Sequence, residues 1–206
     1  MNAQRYLSPE VLSARLLPVM PELPLAPTRS DYDLNPATRP ETQRVLVPAA
    51  VLIPVVARPE PTVLFTKRSE LLPRHAGQVC FPGGGVHQTD ASLVRTALRE
   101  MEEETGIGPE FVSVAGFLTP YETVTGYAVL PVVGLLREGF RVTANAREVD
   151  GVFEVPLAFL IDSANRREQR LAWKGGLRRV YAFQYETHYI WGATAAILVE
   201  LAERLA

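Results

Sequence analysis

Four glutamates lie within five consecutive residues of this chain, at positions 100 and 102–104. On a helix with about 3.6 residues per turn, Glu100, Glu103 and Glu104 share an arc about 100° wide, whereas Glu102 lies on another side. Hard divalent cations bind oxygen ligands of this kind. The pattern therefore predicts a row of carboxylates suited to a metal ion, beside a buried stripe. The residues of that stripe are Val94, Ala97, Leu98, Met101 and Thr105.

The alternative for these glutamates is a solvated acidic surface. Like charges three or four positions apart cost a helix only about 0.2–0.5 kcal/mol per pair, so an exposed acidic face can persist without a metal. Two neighbouring features favour the metal site. Gly106 follows the glutamates and suits the C-terminal end of a helix. The glycine-rich segment Phe81–Gly85, expected to be a loop, lies upstream by the length of one loop and one helix.

Strands and a few helices must position these residues. Many strands with few helices predict an α/β (α+β) domain in which a mixed sheet is sandwiched by helices. The strands are predicted at Val45–Val56, Thr62–Thr66, Val79–Phe81, Phe111–Phe117, Tyr127–Leu136, Val152–Val155, Arg178–Tyr185 and His188–Trp191. The helices are predicted at Asp90–Thr105, at Pro156–Leu160 and at the C-terminus, with an apolar stripe of Ile197, Leu198, Leu201 and Leu205.

The N-terminal part of the chain is rich in proline. Eleven of the seventeen prolines lie before Thr62. Ser8-Pro9-Glu10 predicts a helix N-cap and the start of a short helix, and Pro18–Pro40 predicts an extended arm. We expect residues 1–43 to pack on the domain or on a second subunit, and residues 44–206 to form the domain that carries the glutamates.

Composition limits the class of protein. With 206 residues, 47% of them apolar, the chain suits one compact domain, or one domain with an appendage. Its net charge of −2 gives no electrostatic reason to expect a nucleic acid or a membrane as partner. We expect no signal peptide, and no apolar run approaches the roughly 20 residues that span a bilayer. Because Cys80 is the only cysteine, no intrachain disulfide is possible and a cytoplasmic location is expected.

The sequence Arg99–Ile107 resembles the second half of the Nudix hydrolase signature at every fixed position. Gly85 matches the glycine that opens the signature. The signature's first glutamate falls on Ala91, which is a departure, and we expect the neighbouring Asp90 to provide the helix N-cap instead. The resemblance implies the Nudix fold, a mixed β-sheet sandwiched between α-helices.

The same resemblance implies hydrolysis of a pyrophosphate bond with Mg²⁺ or Mn²⁺. It implies that Glu103 and Glu104 bind the metal, and that Glu100 either binds it or activates the attacking water. Arg99 is expected to orient a carboxylate. The further candidate ligands are the backbone carbonyl of Gly84 and the side chain of Glu148, with Glu122 and Glu186 as weaker alternatives to Glu148.

A second resemblance covers more of the chain and bears on the substrate. The sequences Leu64–Ser69 and Arg74–Gly84 are similar to the motif of the coenzyme A pyrophosphatase branch of Nudix enzymes, as are Thr123–Tyr127, Pro131–Gly134 and Ile190–Ala195. This implies a small-molecule substrate, coenzyme A or its thioesters, cleaved to adenosine 3′,5′-bisphosphate and 4′-phosphopantetheine or its acyl form. The residues implied in binding it are Arg68, Arg74, His75, Gln78, Gly83 and Gly84. Because Nudix domains frequently pair, a homodimer is also expected.

Two other functions stay open. A Nudix hydrolase of another dinucleotide, such as ADP-ribose, would share the carboxylate helix without needing the Arg68–Gln78 motif. A non-catalytic ligand-sensing Nudix module could dispense with the glutamates that this chain retains. Three further residues have simpler interpretations: Cys80 is expected to be a small apolar strand residue, Trp191 to lie in the core, and His188 to have no functional role.

Overall fold

The computed structural model describes residues 9–42, 44–173 and 176–206. The strands are β1 (Arg29–Ser30), β2 (Val47–Val56), β3 (Thr62–Arg68), β4 (Val79–Cys80), β5 (Gly83–Gly85), β6 (Val112–Phe117), β7 (Tyr121–Glu122), β8 (Tyr127–Leu136), β9 (Val149–Pro156), β10 (Arg167–Trp173), β11 (Gly176–Tyr185) and β12 (His188–Trp191). The helices are α1 (Pro9–Arg15), α2 (Leu93–Thr105), α3 (Leu157–Ile161) and α4 (Gly192–Leu205). Within these ranges no helix has the length and apolar character needed to cross a membrane.

A nine-stranded mixed sheet forms the centre of the described chain. Its middle pair is β2 and β8, which run parallel from Val47 opposite Tyr127 to Val56 opposite Leu136. Strand β3 pairs antiparallel with β2 and β9, while β4 pairs with β3 and β5 with β2. Both middle strands are nearly continuous apolar sequences, which is the pattern of strands buried on both faces.

Helices cover both faces of this sheet. On one face α2 packs its apolar side, including Ala97 and Met101, into a core with Leu52 and Leu130. On the other face α1, α3 and α4 contribute to a second core. That second core includes the predicted C-terminal stripe of Ile197, Leu198, Leu201 and Leu205. The predicted fold class, a mixed sheet sandwiched between helices, is therefore confirmed.

The glycine-rich segment differs from its prediction. Gly83–Gly85, expected to be a loop, forms strand β5 and pairs with Ala49–Val51 of β2. A Cβ atom at Gly83 would lie 2.6 Å from the carbonyl oxygen of Ala50, so a larger residue would force the strands apart. Glycine was an unlikely strand former by propensity, but here it permits the close approach of two backbones.

A second, three-stranded antiparallel sheet consists of β10, β11 and β12. Strand β10 escaped prediction because its sequence is charged and mostly exposed, without the apolar alternation that marks a half-buried strand. Its pairing with β11, from Arg167 opposite Ala182 to Trp173 opposite Gly176, holds it in place. Pairing with the next strand along the chain, and not an apolar pattern of its own, thus decides the structure of this segment.

The N-terminal arm packs on the rest of the chain. Strand β1 pairs with β7, and Leu25 is buried in the core beneath α2. The Asn35 side chain exchanges two hydrogen bonds, both 2.8 Å, with the backbone of Arg179. The arm also contains a short 3₁₀ turn at Pro36–Thr38 and is therefore less uniformly extended than predicted. The predicted first helix is present as α1, whereas its proposed cap Ser8 lies outside the described residues.

Candidate active site

Helix α2 carries the glutamates and begins three residues later than predicted, at Leu93 instead of Asp90. The N-cap is Ser92, whose hydroxyl accepts a hydrogen bond from the backbone N–H of Arg95 at 3.2 Å. The prediction that Asp90 caps this helix is wrong, because the Asp90 carboxylate is used elsewhere. The helix ends as predicted at Gly106, which adopts a left-handed conformation with φ of 73°.

Asp90 and Arg99 form the electrostatic centre of the helix. The Asp90 carboxylate accepts hydrogen bonds from Nε of Arg99 at 3.1 Å and from Nη2 at 3.0 Å. It also accepts from the Thr96 hydroxyl at 2.9 Å and from the backbone N–H of His87 at 3.0 Å. The Arg99 guanidinium is the main cause of the pKa of Asp90 lying well below its usual range. A carboxylate thus supports Arg99 one position before Ala91, where the signature would place a glutamate.

Arg99 also holds two carboxylates of the predicted metal site. Its Nη1 atom donates to Glu100 at 2.9 Å and to Glu103 at 2.8 Å, and its Nη2 atom donates to the carbonyl oxygen of Gly85 at 3.2 Å. These contacts are those expected of a residue that orients carboxylates. A single guanidinium therefore fixes the position of the carboxylate row relative to β5.

Glu104 is the most deeply buried of the four glutamates, with 2% of its surface exposed. Its carboxylate accepts hydrogen bonds from the Thr66 hydroxyl at 3.1 Å and from the backbone N–H of Gly83. Burial raises the pKa of Glu104 to about 7, with a further contribution from the negative charge of Glu100. The nearby Arg68 charge acts in the opposite direction.

We expect the buried Glu104 to make metal-free protein less stable as pH rises. Its pKa is raised from 4.5 to about 7 on folding, so the folded state binds more protons than the unfolded state between these values. The free energy of unfolding in EDTA should fall by about 3 kcal/mol from this group between pH 4.5 and 8. Chemical denaturation across this range measures it, with Glu104→Gln as the control, in which this fall should be absent. Equal pH slopes in both proteins would contradict the assignment.

Glu100 lies directly against the glycine strand. A Cβ atom at Gly84 would stand 2.6 Å from Cδ of Glu100, so the carboxylate occupies space that only glycine leaves open. Burial is the main cause of a raised pKa at Glu100; Arg99 lowers it, whereas the charges of Glu103 and Glu148 raise it further. The electrostatic influence of Glu148 indicates that this predicted ligand faces the same group of carboxylates. Its side chain accepts a hydrogen bond from Nδ2 of Asn145 at 3.0 Å.

A cavity of about 400 Å³ borders the glycine strand on the side away from α2. It lies between β5, the second sheet and the loop that follows β7. Five of the six predicted substrate-binding residues line it: Arg68, His75, Gln78, Gly83 and Gly84. The sixth, Arg74, is exposed and is not part of the cavity wall, so the structure does not bring it together with the others.

Arg68 and the His75–Gln78 pair have different surroundings in the wall of this cavity. The Nε atom of Arg68 is buried and has no hydrogen-bond partner among the described residues. His75 has a positive φ of 57°, and its Nδ1 atom lies 2.9 Å from Oε1 of Gln78. This contact holds the His75 and Gln78 side chains together in the cavity wall. Gln78, implied by the resemblance in substrate binding, therefore also orients His75.

Residues 46–171 match the sequence profile of the NUDIX domain, and this match spans more than half of the chain. The chain belongs to the Nudix hydrolase family. Relatives described as uncharacterized Nudix hydrolase NudL include proteins of Klebsiella pneumoniae strain 342 and Escherichia coli O9:H4 strain HS. They are 47% and 48% identical over 154 residues, which cover 75% of this chain and 80% of each relative.

Solved structures of Nudix proteins are also similar to this chain. A binary complex of the Caenorhabditis elegans Ap4A hydrolase is 21% identical, with a TM-score of 0.45, over 56% of this chain and 84% of that one. The Nudix domain of Shewanella oneidensis NrtR, complexed with ADP ribose, is 20% identical, with a TM-score of 0.44, over 62% of this chain and 82% of that one.

Membership of the Nudix family makes this chain a pyrophosphohydrolase of a class that generally uses divalent metal ions. Among the described residues, no group of three or more Asp, Glu, His or Cys side chains is already arranged to hold a metal ion. The reason is that Arg99 holds Glu100 and Glu103, while Glu104 turns toward Thr66. The residues nevertheless fit such an ion, because oxygen donors flank Gly84 and two of the carboxylates have raised pKa values that a nearby cation would lower.

The structure adds residues to the Nudix cavity that sequence patterns did not identify. Trp191, predicted to lie in the core, is only half-buried and lines the cavity. The other additions are Asp31 of the arm, Thr123–Thr125, Trp173 and Arg178. The resemblance of Thr123–Tyr127 and Ile190–Ala195 to the coenzyme A branch was a sequence signal for Thr123–Thr125 and Trp191 alone. Asp31, Trp173 and Arg178 had no such signal, because tertiary packing brings them to the cavity.

The residues to which the sequence assigned a weaker functional role, or none, have other surroundings in the structure. Glu122 pairs with Arg39 at 3.1 Å, and Glu186 lies exposed between β11 and β12. The pKa of the Cys80 thiol is raised to about 11 by burial and by the Glu104 charge, so it stays protonated at neutral pH. The ring of His188 stacks on Phe153, with 3.6 Å between ring centroids, which is a packing role.

Proposed function

We propose that this chain is a metal-dependent hydrolase of the pyrophosphate bond in coenzyme A or its thioesters. The observation that carries the proposal is the shared glycine strand. One side of Gly83–Gly85 meets the carboxylates of α2, and the other lines the cavity that contains Arg68, His75 and Gln78. The residues of the coenzyme A motif thus lie next to the Nudix carboxylates.

The carboxylate side of the strand is the proposed metal site. Glu100, Glu103 and Glu104 would hold Mg²⁺ or Mn²⁺, with the Gly84 carbonyl and Glu148 as further ligands. When bound, the ion supplies charge neutralisation at the phosphates and lowers the pKa of a coordinated water. The ion pairs from Arg99 set the positions of Glu100 and Glu103 before substrate arrives.

The proposed reaction is hydrolysis at one phosphorus atom. A water molecule loses a proton and forms a new phosphorus–oxygen bond, while the anhydride bond breaks and the bridging oxygen leaves with the other phosphate. Coenzyme A then gives adenosine 3′,5′-bisphosphate and 4′-phosphopantetheine. Glu100 has a carboxylate of raised pKa beside the other glutamates, so it is positioned either as a metal ligand or as the base that accepts the proton.

The cavity side of the strand is the proposed phosphate-binding region. Arg68 places a buried guanidinium nitrogen without a hydrogen-bond partner in this wall, and a phosphate oxygen would satisfy it. His75 and Gln78 are joined to each other and line the same wall. These contacts support binding of the diphosphate next to the metal site.

A substrate panel tests this proposal. We expect purified protein with Mg²⁺ or Mn²⁺ to hydrolyse coenzyme A with a kcat/KM at least about tenfold above that for ADP-ribose or oxidised nucleotides, a difference of about 1.4 kcal/mol. EDTA should abolish the activity. A preference for ADP-ribose would replace coenzyme A by another dinucleotide, and no turnover of any substrate would favour the sensing module.

The variant Arg68→Ala tests the proposed phosphate-binding role of a single residue. We expect its KM for coenzyme A to rise, because a charged hydrogen bond to phosphate is lost. Lys67→Ala is the matched variant: Lys67 precedes Arg68 on β3, pairs with Glu70 at 3.3 Å and is not part of the cavity wall. Equal KM values in the Arg68 variant and the wild type would remove Arg68 from the proposed site.

A further inference from the structure

The chain contains two tryptophans, and both line the cavity. Trp173 ends β10 and Trp191 ends β12, so they are far apart on the outer strands of the second sheet. Trp191 is half-buried, and 37% of Trp173 is exposed. Both indole side chains thus line the same open cavity, although they enter it from different strands.

The strand register explains why the two tryptophans meet the same cavity. Trp191 pairs with Ala182, and Trp173 pairs with Gly176 of the same strand β11. Directly paired residues share a face, and positions two apart on a strand share a face. The even-numbered β11 residues between them, Arg178 and Val180, also line the cavity. The part of this sheet face that lines the cavity therefore consists of Trp173, Arg178, Val180 and Trp191.

Arg178, the positively charged residue of this wall, contacts the N-terminal arm. Nη2 of Arg178 donates to the backbone oxygen of Asp31 at 2.5 Å, and its guanidinium lies 5.2 Å from the ring centroid of Tyr32. Arg178 itself is 7% exposed. The surface that the sheet presents to the cavity consists mainly of the two indoles and Val180. By contrast, Arg68 lies near the carboxylates, on the glycine-strand side.

We propose that this aromatic wall binds the purine ring of the substrate by stacking, with Trp191 as the main contact. The inference deepens the proposed function, because it rests on a substrate that contains a nucleoside diphosphate. A purine offers a planar π-face that stacks on indole, whereas the pantetheine arm has no ring. The diphosphate then extends from the aromatic wall toward Arg68 and the glycine strand, and the rest of the substrate leaves the cavity.

Binding of the two half-substrates tests the assignment. We would titrate adenosine 3′,5′-bisphosphate and 4′-phosphopantetheine into the full-length protein in EDTA by calorimetry. Trp191→Ala should weaken the bisphosphate about tenfold or more and change the affinity for 4′-phosphopantetheine less than twofold. Trp191→Phe keeps a ring and should recover most of the loss. Leu177→Ala, on the opposite face of β11 and 69% exposed in the wild type, should bind both as the wild type does.

A second measurement needs no variant. Because both tryptophans lie in the cavity wall, the bisphosphate should quench the tryptophan fluorescence of the wild type, and 4′-phosphopantetheine should not. Unchanged bisphosphate affinity in the Trp191→Ala variant, equal weakening of both half-substrates, or quenching by 4′-phosphopantetheine alone would overturn the inference. If coenzyme A is not hydrolysed but ADP-ribose binding depends on Trp191 in the same way, the coenzyme A proposal fails and the purine wall stands.

Discussion

Replacing Glu104 with glutamine is expected to lower pyrophosphate hydrolysis by at least about a hundredfold while the domain stays folded. The amide keeps the size of the side chain and an oxygen that can accept the Thr66 hydrogen bond. It removes the negative charge beside Gly83 and Glu100 that a divalent cation requires. Loss of a residue that merely supports a metal ligand typically costs 10–100-fold, so loss of a ligand should cost more. Steady-state kinetics with saturating Mg²⁺ measure the loss, and near-UV circular dichroism measures the fold.

Glu102→Gln is the matched control for this substitution. Glu102 lies two residues earlier on the same helix, but it is exposed and belongs to another face. The two variants have the same change in charge, so only position distinguishes them. Near-wild-type turnover in the Glu104 variant, or an equal loss in both variants, would contradict the metal assignment.

Gly84→Ala is expected to reduce activity strongly with little effect on stability. The added methyl group would overlap the Glu100 carboxylate, which is the end of a flexible side chain and can move aside without unfolding the protein. Moving it breaks the arrangement that Arg99 imposes and takes Glu100 out of line with Glu104. A misplacement of about 1 Å in a catalytic group can cost about a hundredfold in rate. Turnover and the thermal unfolding midpoint of the same preparation give both quantities.

Gly85→Ala provides the neighbouring comparison. A Cβ atom at Gly85 would meet nothing within 4 Å, and the backbone oxygen that accepts from Arg99 remains in place. The variant should therefore keep most of its activity. If both alanine variants lose activity equally, the glycines matter for strand β5 as a whole, and the specific contact between Gly84 and Glu100 is not the cause.

Helical periodicity predicted a row of three carboxylates and separated Glu102 from it. The structure buries Glu104, leaves Glu102 and Glu103 exposed, and joins Glu103 to Glu100 through Arg99, while the metal role of the row stays a prediction. The apolar stripe beside them is buried because a 13-residue helix must cover the sheet with one side. The start of the helix was misplaced by competition between two good cap residues. Ser92 took the cap because Asp90 is held by Arg99.

Local sequence patterns could not predict which residues line the cavity. Strand β10 has no apolar period, and Trp191 looks like a core residue in its own sequence context. Its exposure follows from the register between β11 and β12, which sets the face on which it lies. Asp31 reaches the same cavity from a proline-rich arm, through hydrogen bonds from Val124 N–H at 2.7 Å and Tyr121 hydroxyl at 3.1 Å. Contacts between residues about 90 positions apart leave no periodic signal.

The most direct test of the proposed function is the identity of the products formed from coenzyme A. Wild-type protein, coenzyme A and Mg²⁺ would be incubated, and the products separated and identified by mass spectrometry. We predict equal amounts of adenosine 3′,5′-bisphosphate and 4′-phosphopantetheine, with formation abolished in EDTA and strongly reduced in the Glu104→Gln variant. Intact coenzyme A, cleavage at any bond other than the pyrophosphate, or equal product formation in EDTA would contradict the proposal.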